Sequence, residues 1–585
     1  MKKVNTFLGL SIKFFFASLI ITCNSFEDNK PNILIFLSDD QGWGDLSING
    51  NPNISTPNID AIGLNGAVFE KFYVSPVCSP TRAELLTGKY FIRSGVRGVT
   101  QGYERIDLGH SLMSDFFKEN KYKTGLFGKW HNGSQPPYHP NTRGFDEFYG
   151  FTSGHWGNYF SPVLERNSKI VRGKGYISDD ITDNAIRFMK NSKHPFFTFV
   201  SFNTPHSPMQ VPNTFLENRE VIKQGRYKDR ENILKTKAAL AMVENLDYNV
   251  GRVLDSLKKF KKHNNTIVIF FSDNGPNGFR WNNDFKGKKG STNEGGVRVP
   301  FMIQWPKSIK KSIKVNQITS VMDIFPTLVE LCNFKSTINF DGESFVKNLK
   351  NPNLLDDTRK VFSYWGNKVS IRNNNFILDS DNNLYDLNSD IEQSNPLDSF
   401  TSAYTQLKSA KKKWEDLFIR NYQKKKDKRR FTVNYSNQID THLPARDADI
   451  TGKLKRSSIH PNDSFIENWI EKEDFIYWEI DVMEKSSAEV ELYYTLNKES
   501  KGTKIAIEYQ NKFYVKVLNE SFDPDLYGQE NDIVERSESY NKEFKKINMG
   551  KIDFHQGNSV LKLKTLDKVG DKSIDFKLLI IKKRS

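Results

Sequence analysis

The chain has 585 residues, 37% of them hydrophobic and 26% charged, with a formal net charge of +15. That length exceeds a single ordinary core and implies two or three domains of a globular protein. The basic balance favours an anionic partner, but no zinc finger, RNP motif or basic heptad is present, so nucleic acid is set aside.

The N-terminal stretch "MKKVNTFLGLSIKFFFASLIITCNS" places Lys2, Lys3 and Lys13 before the apolar run Phe14 to Ile21. That run is too short to span a bilayer and suits the h-region of an export signal over residues 1–25. Cys23 after "SLIIT" resembles a lipoprotein cleavage site, so a lipid on Cys23 and ordinary cleavage near Ser25 stand side by side. The expected location is periplasmic, secreted, or at the cell surface as a lipoprotein. With Cys23 in the signal, the mature body keeps only Cys78 and Cys332. Cys332 lies in "TSVMDIFPTLVELCNF", whose apolar residues recur at helical spacing, and is expected in the core. Cys78 is then an unpaired cysteine in an oxidising compartment.

"PNILIFLSDDQGWGDL" reads as a buried parallel strand ending in Asp39 and Asp40. "HPFFTFVSFNTPHSP" and "NTIVIFFSDNGPNG" repeat the design, ending in His206 and in Asp273 with Asn274. Helical patterns such as "LMSDFFKEN" and "TKAALAMVENLDYNVGRVLDSLKKF" lie between them. The alternation predicts an α/β body over 26–335, a mixed and largely parallel sheet flanked by helices, with its active edge at the strands' carboxyl ends. Short strand-like runs and a basic helix predict a smaller α+β subdomain over 336–433. Residues 434–457 read as a linker. Residues 458–585 alternate aromatic and β-branched positions between turns, which predicts an antiparallel β-sandwich.

Two carboxylates in one strand-end turn repel each other unless a cation lies between them, and oxygen-only ligation suits Ca2+ or Mg2+. Asp39 and Asp40, with Asp273 and Asn274 after a second strand, therefore form a candidate hard-metal site. "GKWH" adds Lys129 and His131, "NTPHSP" adds His206 between two prolines, and "GKKGSTNEGGVRVP" adds Lys288 and Lys289. "CSPTRAELLTG" predicts a helix starting at Ser79 or Pro80, with residue 78 at its positive end and Arg82 one turn on. Cation, arginine, lysines and histidines together suit an anionic tetrahedral ester.

"CSPTRAELLTG" resembles the sulfatase signature Cys-x-Pro-x-Arg followed by Thr-Gly. "SDD", "GKWH", "PHSP", "SDNG" and "GKKGSTNEGGVRVP" are similar to the family's other blocks, in order, across residues 30 to 420. "NLYDLNSD" is similar to the block opening its C-terminal subdomain. The resemblance implies the alkaline-phosphatase-like fold and a sulfuric ester hydrolase in which a maturation enzyme oxidises Cys78 to Cα-formylglycine (3-oxoalanine). The hydrated aldehyde would attack the sulfate sulfur, and its second hydroxyl would then expel sulfate. By matched position, Asp39, Asp40, Asp273, Asn274 and the modified Cys78 would hold one Ca2+. Arg82 and Lys129 would steady the sulfate and the hydrate, and His131 would take the diol proton. His206 and the loop lysine would face the ester oxygen. Counting back five from Glu294 selects Lys289, with Lys288 one step away. Ser153 and His155 in "GFTSGHW" both fit a further family position loosely and are assigned no role.

Export, charge and the added β-module favour a sulfated polysaccharide. Similar bacterial enzymes act on ulvan, carrageenan, fucoidan or glycosaminoglycans, and ulvan is the first expectation. An aryl sulfatase, a phosphate or phosphonate monoester hydrolase, and a decayed glycan-binding protein are the alternatives.

Overall fold

The computed structural model describes residues 30–217, 219–420, 422, 429–435 and 439–582. The stretch 1–25, read as an export signal, and Cys23 within it lie outside the described residues. Among those residues, no helix is long and apolar enough to cross a membrane.

The α/β body is built on a ten-stranded sheet. In chain order its strands are β1 (Asn32–Ser38), β2 (Ala67–Phe69), β3 (Lys123–Lys129), β4 (Glu147–Phe151), β5 (Val163–Arg166), β6 (Lys169–Arg172), β7 (Phe196–Ser201), β8 (Thr266–Ser272), β9 (Phe301–Gln304) and β10 (Ile313–Val315). Their spatial order is β10-β2-β9-β8-β1-β7-β3-β4-β5-β6. The five central strands, β8 to β4, run parallel. On the flanks, β9 pairs antiparallel with β2 and β8, and β5 with β4 and β6. The predicted mixed, largely parallel sheet is what the chain forms.

β1 shows why a continuous apolar strand belongs at the centre. Ile33, Ile35 and Leu37 pack into one core with helix α1 (Cys78–Thr87), while Leu34 and Phe36 pack into a second core under α2 (Ile177–Asn191) and α3 (Ile233–Lys259). Side chains alternate across the sheet with period two, so a strand covered on both faces must be apolar at every position. Charged residues return where the strand leaves the sheet. Ser38 of β1 sits opposite Ser272 of β8, so Asp39 and Asp273 emerge side by side at the carboxyl edge.

A four-stranded antiparallel sheet spanning residues 361–386 follows, covered by the helix Ser402–Trp414. The remainder forms two facing six-stranded sheets around one core that includes Trp469, Trp478, Leu492 and Leu561. This sandwich starts earlier than the sequence suggests. Phe431–Val433 and Asp449–Ile450 pair with Phe475–Val482, Thr441–Pro444 pairs with Asp575–Lys582, and Lys455–Arg456 pairs with Ile466–Glu467. The stretch 434–457, expected as a linker, therefore supplies edge strands. Runs of two to four residues are too short to show alternation, and the partner of Thr441–Pro444 lies far away in sequence. The sandwich is also not purely antiparallel, because Phe431–Val433 runs parallel to its neighbour.

Candidate active site

α1 begins at Cys78, one to two residues before the expected start, with Val77 in extended conformation as its N-cap. No side chain caps this end, so its backbone N–H groups are left for an anion. The helix stops at Gly88, whose φ of 64° suits glycine and whose N–H returns to the Glu84 carbonyl. All ten residues of α1 are buried. Burial lifts the Cys78 thiol above its ordinary pKa, against the pull of Lys129 and Lys289. An unmodified Cys78 is thus a protonated, weakly nucleophilic thiol. Cys78 and Cys332 are both free. Cys332 caps the helix Ile324–Leu331 in the core, with the Tyr122 hydroxyl 3.8 Å from its Sγ.

Beneath Cys78, three carboxylates meet three cations. Lys129 Nζ lies 2.6 Å from Asp39 Oδ2, and Lys289 Nζ lies 2.6 Å from Asp40 Oδ1. Arg82 donates to Asp273 Oδ2 from Nε at 3.2 Å and Nη2 at 2.8 Å, and it also donates to the Lys129 carbonyl and to Ser201. Burial acts to raise the Asp40 carboxyl, but Lys289 and His206 together hold it below the usual range. Burial and the charge of Asp39 push Asp273 up to about 6, despite Arg82. Burial would strip Lys289 of its proton, but Asp40 more than offsets this and keeps it charged.

The donor set fits a hard cation. Asp39 Oδ1, Asp40 Oδ2 and Asn274 Oδ1 are buried without a hydrogen-bond partner, and such atoms are costly unless something meets them. Ligand atoms of Asp39, Cys78 and Asp273 lie within 4.8 Å of one another, as do those of Asp39, Asp40 and His206. Asn274 Nδ2 donates to Asp40 Oδ1 at 2.8 Å, which turns its carbonyl oxygen to the remaining space. An all-oxygen quartet of this kind can hold a divalent metal.

Above this floor opens a cavity of about 650 Å3, lined by Cys78, His131, His155, His206 and Lys289 among others. His131 Nε2 lies 2.7 Å from the Val99 carbonyl and so must donate to it, leaving a buried lone pair on Nδ1. Burial and Lys129 keep this imidazole neutral, well below its usual pKa. His206 Nδ1 donates to the Ser207 carbonyl at 2.7 Å, and Nε2 stands 3.7 Å from Asp40. Burial, with Lys289 beside it, lowers His206 to about 4. Of the two loop lysines, Lys289 reaches the carboxylates, whereas Lys288 Nζ sits over the Phe279 ring at 4.9 Å.

The lysine loop is held by close backbone approach. Gly275 N–H donates to the Gly296 carbonyl, Lys289 N–H to Pro276, and Gly290 N–H to Pro76, two residues before Cys78. A Cβ on Gly275 would meet the Gly295 carbonyl oxygen at 2.0 Å, and one on Gly295 would meet that of Gly287 at 2.4 Å. The glycines of "SDNG" and "NEGG" are thus two sides of one contact. Glu294 is a clamp. It is buried, accepts from Tyr73 and pairs with Arg372 of the four-stranded sheet at 3.1 Å.

Every candidate site residue read from the sequence comes to this one place. Sequence reasoning missed Arg280, which pairs with Asp45 and donates to the Asp40 carbonyl at 3.1 Å, fixing the carboxylate turn from 240 residues away. His155, left without a role, lines the cavity and stacks on His206 at 5.8 Å, while Ser153 turns inward to the His155 carbonyl.

Residues 31–334 match the model of the sulfatase family, and 288–398 match that of the N-sulphoglucosamine sulphohydrolase C-terminal region. The chain is 32% identical over 379 residues to N-acetylgalactosamine-6-sulfatase of Mus musculus, covering 58% of this chain and 69% of that one. It is 31% identical to Ps i-CgsB, solved in complex with k-i-k-neocarrahexaose, with a TM-score of 0.60 over 68% of this chain and 98% of that one. The fold is also that of BT4656, solved with D-glucosamine-2-N,6-O-disulfate, at 21% identity and a TM-score of 0.56 over 68% of this chain and all of that one. With the signature helix, the oxygen quartet and the histidine pair assembled in one cavity, the chain belongs to the sulfatase family, as a formylglycine-type sulfuric ester hydrolase of the alkaline-phosphatase-like superfamily.

Proposed function

We propose that this sulfatase removes sulfate from a sulfated polysaccharide through a formylglycine made from Cys78. The observation that carries the reading is Cys78 at an uncapped helix start, with its Sγ within 4.8 Å of carboxylate oxygens of Asp39 and Asp273 and in one cavity lining with His131 and Lys289. Asp39, Asp40, Asp273 and Asn274 are the residues to hold Ca2+. When present, the hydrated aldehyde supplies an oxygen nucleophile, and the ion supplies Lewis-acid stabilisation of the sulfate oxygens.

This chain's own side chains do the rest. Lys129 and Arg82 offset the charge of Asp39 and Asp273 and so set the field under residue 78. Lys289 carries a proton beside the cavity and is the group to protonate the departing alcohol, while His206, neutral with Nε2 bare, is a hydrogen-bond acceptor there. His131, with its lone pair on Nδ1, is placed to take a proton from residue 78 as sulfate leaves. A serine alcohol or a thiol at position 78 has no second hydroxyl with which to expel sulfate.

The substrate we place first is an algal polysaccharide, ulvan, with carrageenan and glycosaminoglycans in the same test. Relatives named for an N-acetylgalactosamine 6-sulfate and for a carrageenan oligosaccharide support the glycan class. An export segment at residues 1–25 and a lipid on Cys23 suit work on a polymer outside the cell. The experiment is mass spectrometry of the Cys78 peptide from a host carrying the maturation enzyme, paired with free-sulfate release from oligosaccharides of all three classes. An unconverted thiol in an active preparation refutes the mechanism, and silence on all three classes refutes the substrate reading.

A further inference from the structure

The cavity over Cys78 is not made by the α/β body alone. One side is formed by residues 459–462 and 534–538, two loops of the C-terminal sandwich, which lie outside both family-matched spans. These loops are locked in place. Arg536 pairs with Asp532 at 2.6 Å and donates to the carbonyls of Gly157 and Gly528. Gln210, four residues after His206, donates at 2.8 Å to Asp532 and to the Gly528 carbonyl, and Ile533 N–H donates to the Met209 carbonyl at 3.0 Å. Glu538 accepts from Ser207, the neighbour of His206. Asn462 Nδ2 sits 3.3 Å from His155 Nδ1, and the adjacent Asp463 accepts from Gly157 N–H at 2.8 Å.

The cavity is polarised by this construction. Lys235, Lys288 and Lys289 line it from the α/β body, and Glu535 and Glu538 line it from the sandwich. Arg536 does not change the balance there, because Asp532 matches its charge. A carboxylate can accept from sugar hydroxyls in strong charge-assisted bonds but repels a sulfate or uronate placed against it. The volume, about 650 Å3, falls in the class of pockets that enclose a small ligand, with a few polar groups fixing its orientation.

We propose that the sandwich is the sugar-reading half of the active site: Asn462, Glu535 and Glu538 bind hydroxyls of the ring that carries the sulfate, and a second anionic substituent is accepted only on the side of Lys235 and Lys288. The inference rests on the glycan-sulfatase reading. It makes the β-module part of the catalytic pocket, not a separate anchor for polymer.

The test uses the full chain with Asn462→Ala, Glu535→Gln and their combination, leaving Glu538 to hold Ser207. KM is measured on the most rapidly desulfated of the ulvan, carrageenan and glycosaminoglycan oligosaccharides, and KI on inorganic sulfate, which occupies only the sulfate position. The double variant should raise KM roughly tenfold or more, as expected when hydroxyl-reading groups are lost, while KI changes far less. KM and KI rising together, or neither moving, overturns the proposal. Glu535→Lys, at an exposed position, should raise kcat/KM on disulfated relative to monosulfated members of that series. An unchanged or reversed preference also overturns it. A wild type that releases sulfate from none of the three classes is a distinct result, which removes the glycan reading itself.

Discussion

Glu84 offers a test of how the helix bearing Cys78 is stabilised. It lies in the second turn of α1, 5% exposed, with Oε1 accepting from Phe91 N–H at 3.3 Å. Burial pushes its carboxyl up from 4.5 to about 8, more than the hydrogen bonds from Phe91 and Ser75 can lower it. The folded chain then keeps a proton there that the unfolded chain releases above pH 4.5. The stabilisation is complete below that pH and is lost as pH climbs to about 8, a difference of roughly 3–5 kcal/mol between the two ends. Glu84→Gln keeps an acceptor for Phe91 and cannot ionise. In urea unfolding followed by tryptophan fluorescence, it should match the wild type near about pH 5 and exceed it by roughly 3 kcal/mol near about pH 8.5. Equal stability of the two proteins at both pH values refutes the assignment of a neutral, buried Glu84.

Cys78→Ala should cut sulfate release by at least about a thousandfold while melting within a few degrees of wild type; substantial residual turnover in a sulfate-release assay tells against residue 78 as the nucleophile's source. Asp273→Ala leaves Arg82 buried without its ion-pair partner and should cost about 3–5 kcal/mol in chemical unfolding, with calcium affinity falling in titration calorimetry. The milder Asp273→Asn should weaken calcium while sparing most of the stability, and unchanged calcium affinity in both variants contradicts the metal assignment. Gly295→Ala drives a Cβ against the Gly287 carbonyl oxygen and should displace the lysine loop, lowering kcat/KM by roughly tenfold at a cost of about 1–3 kcal/mol; wild-type kinetics would show that the loop can give way.

Much of the site was legible because its carboxylates and histidines follow short apolar runs, whereas Cys78, Arg82 and Lys289 follow none and were found through the resemblance to the sulfatase blocks. A strand buried on both faces seldom admits a charged residue before its end, so Asp39, Lys129 with His131, His206 and Asp273 announce themselves as strand-end groups. The start of α1 was less sharply marked, since Val77 caps it without a side-chain bond and the proline at Pro80 drew the expected start inward. Arg280 could not be found by pattern, because its partner Asp45 is distant in sequence and both look like ordinary loop charges. The sandwich's strands were visible in their alternation. Its edge strands at 431–456 were not, and neither was the placement of Asn462 and Glu538 in the cavity. Those short strands are set by pairings that range from Arg456 with Ile466 to Thr441 with Ile581, and a loop carries no periodicity that points to what it will touch.

The interlock between the sandwich and the loop after His206 has a consequence for synthesis. Translation delivers the signature helix early and the pocket's second wall last. Until the final strands, which include Asp575–Lys582, have emerged and paired, the loop at 459–462 has no frame to hold it against His155, nor the loop at 534–538 against Ser207. A nascent or C-terminally nicked chain therefore has a trough where the finished protein has a chamber. On the proposed reading, the same interval is when position 78, at the floor of that chamber, would be most open to a maturation enzyme. Order of emergence from the ribosome would thus separate two events at one place: the proposed alteration of the residue first, and closure around it second.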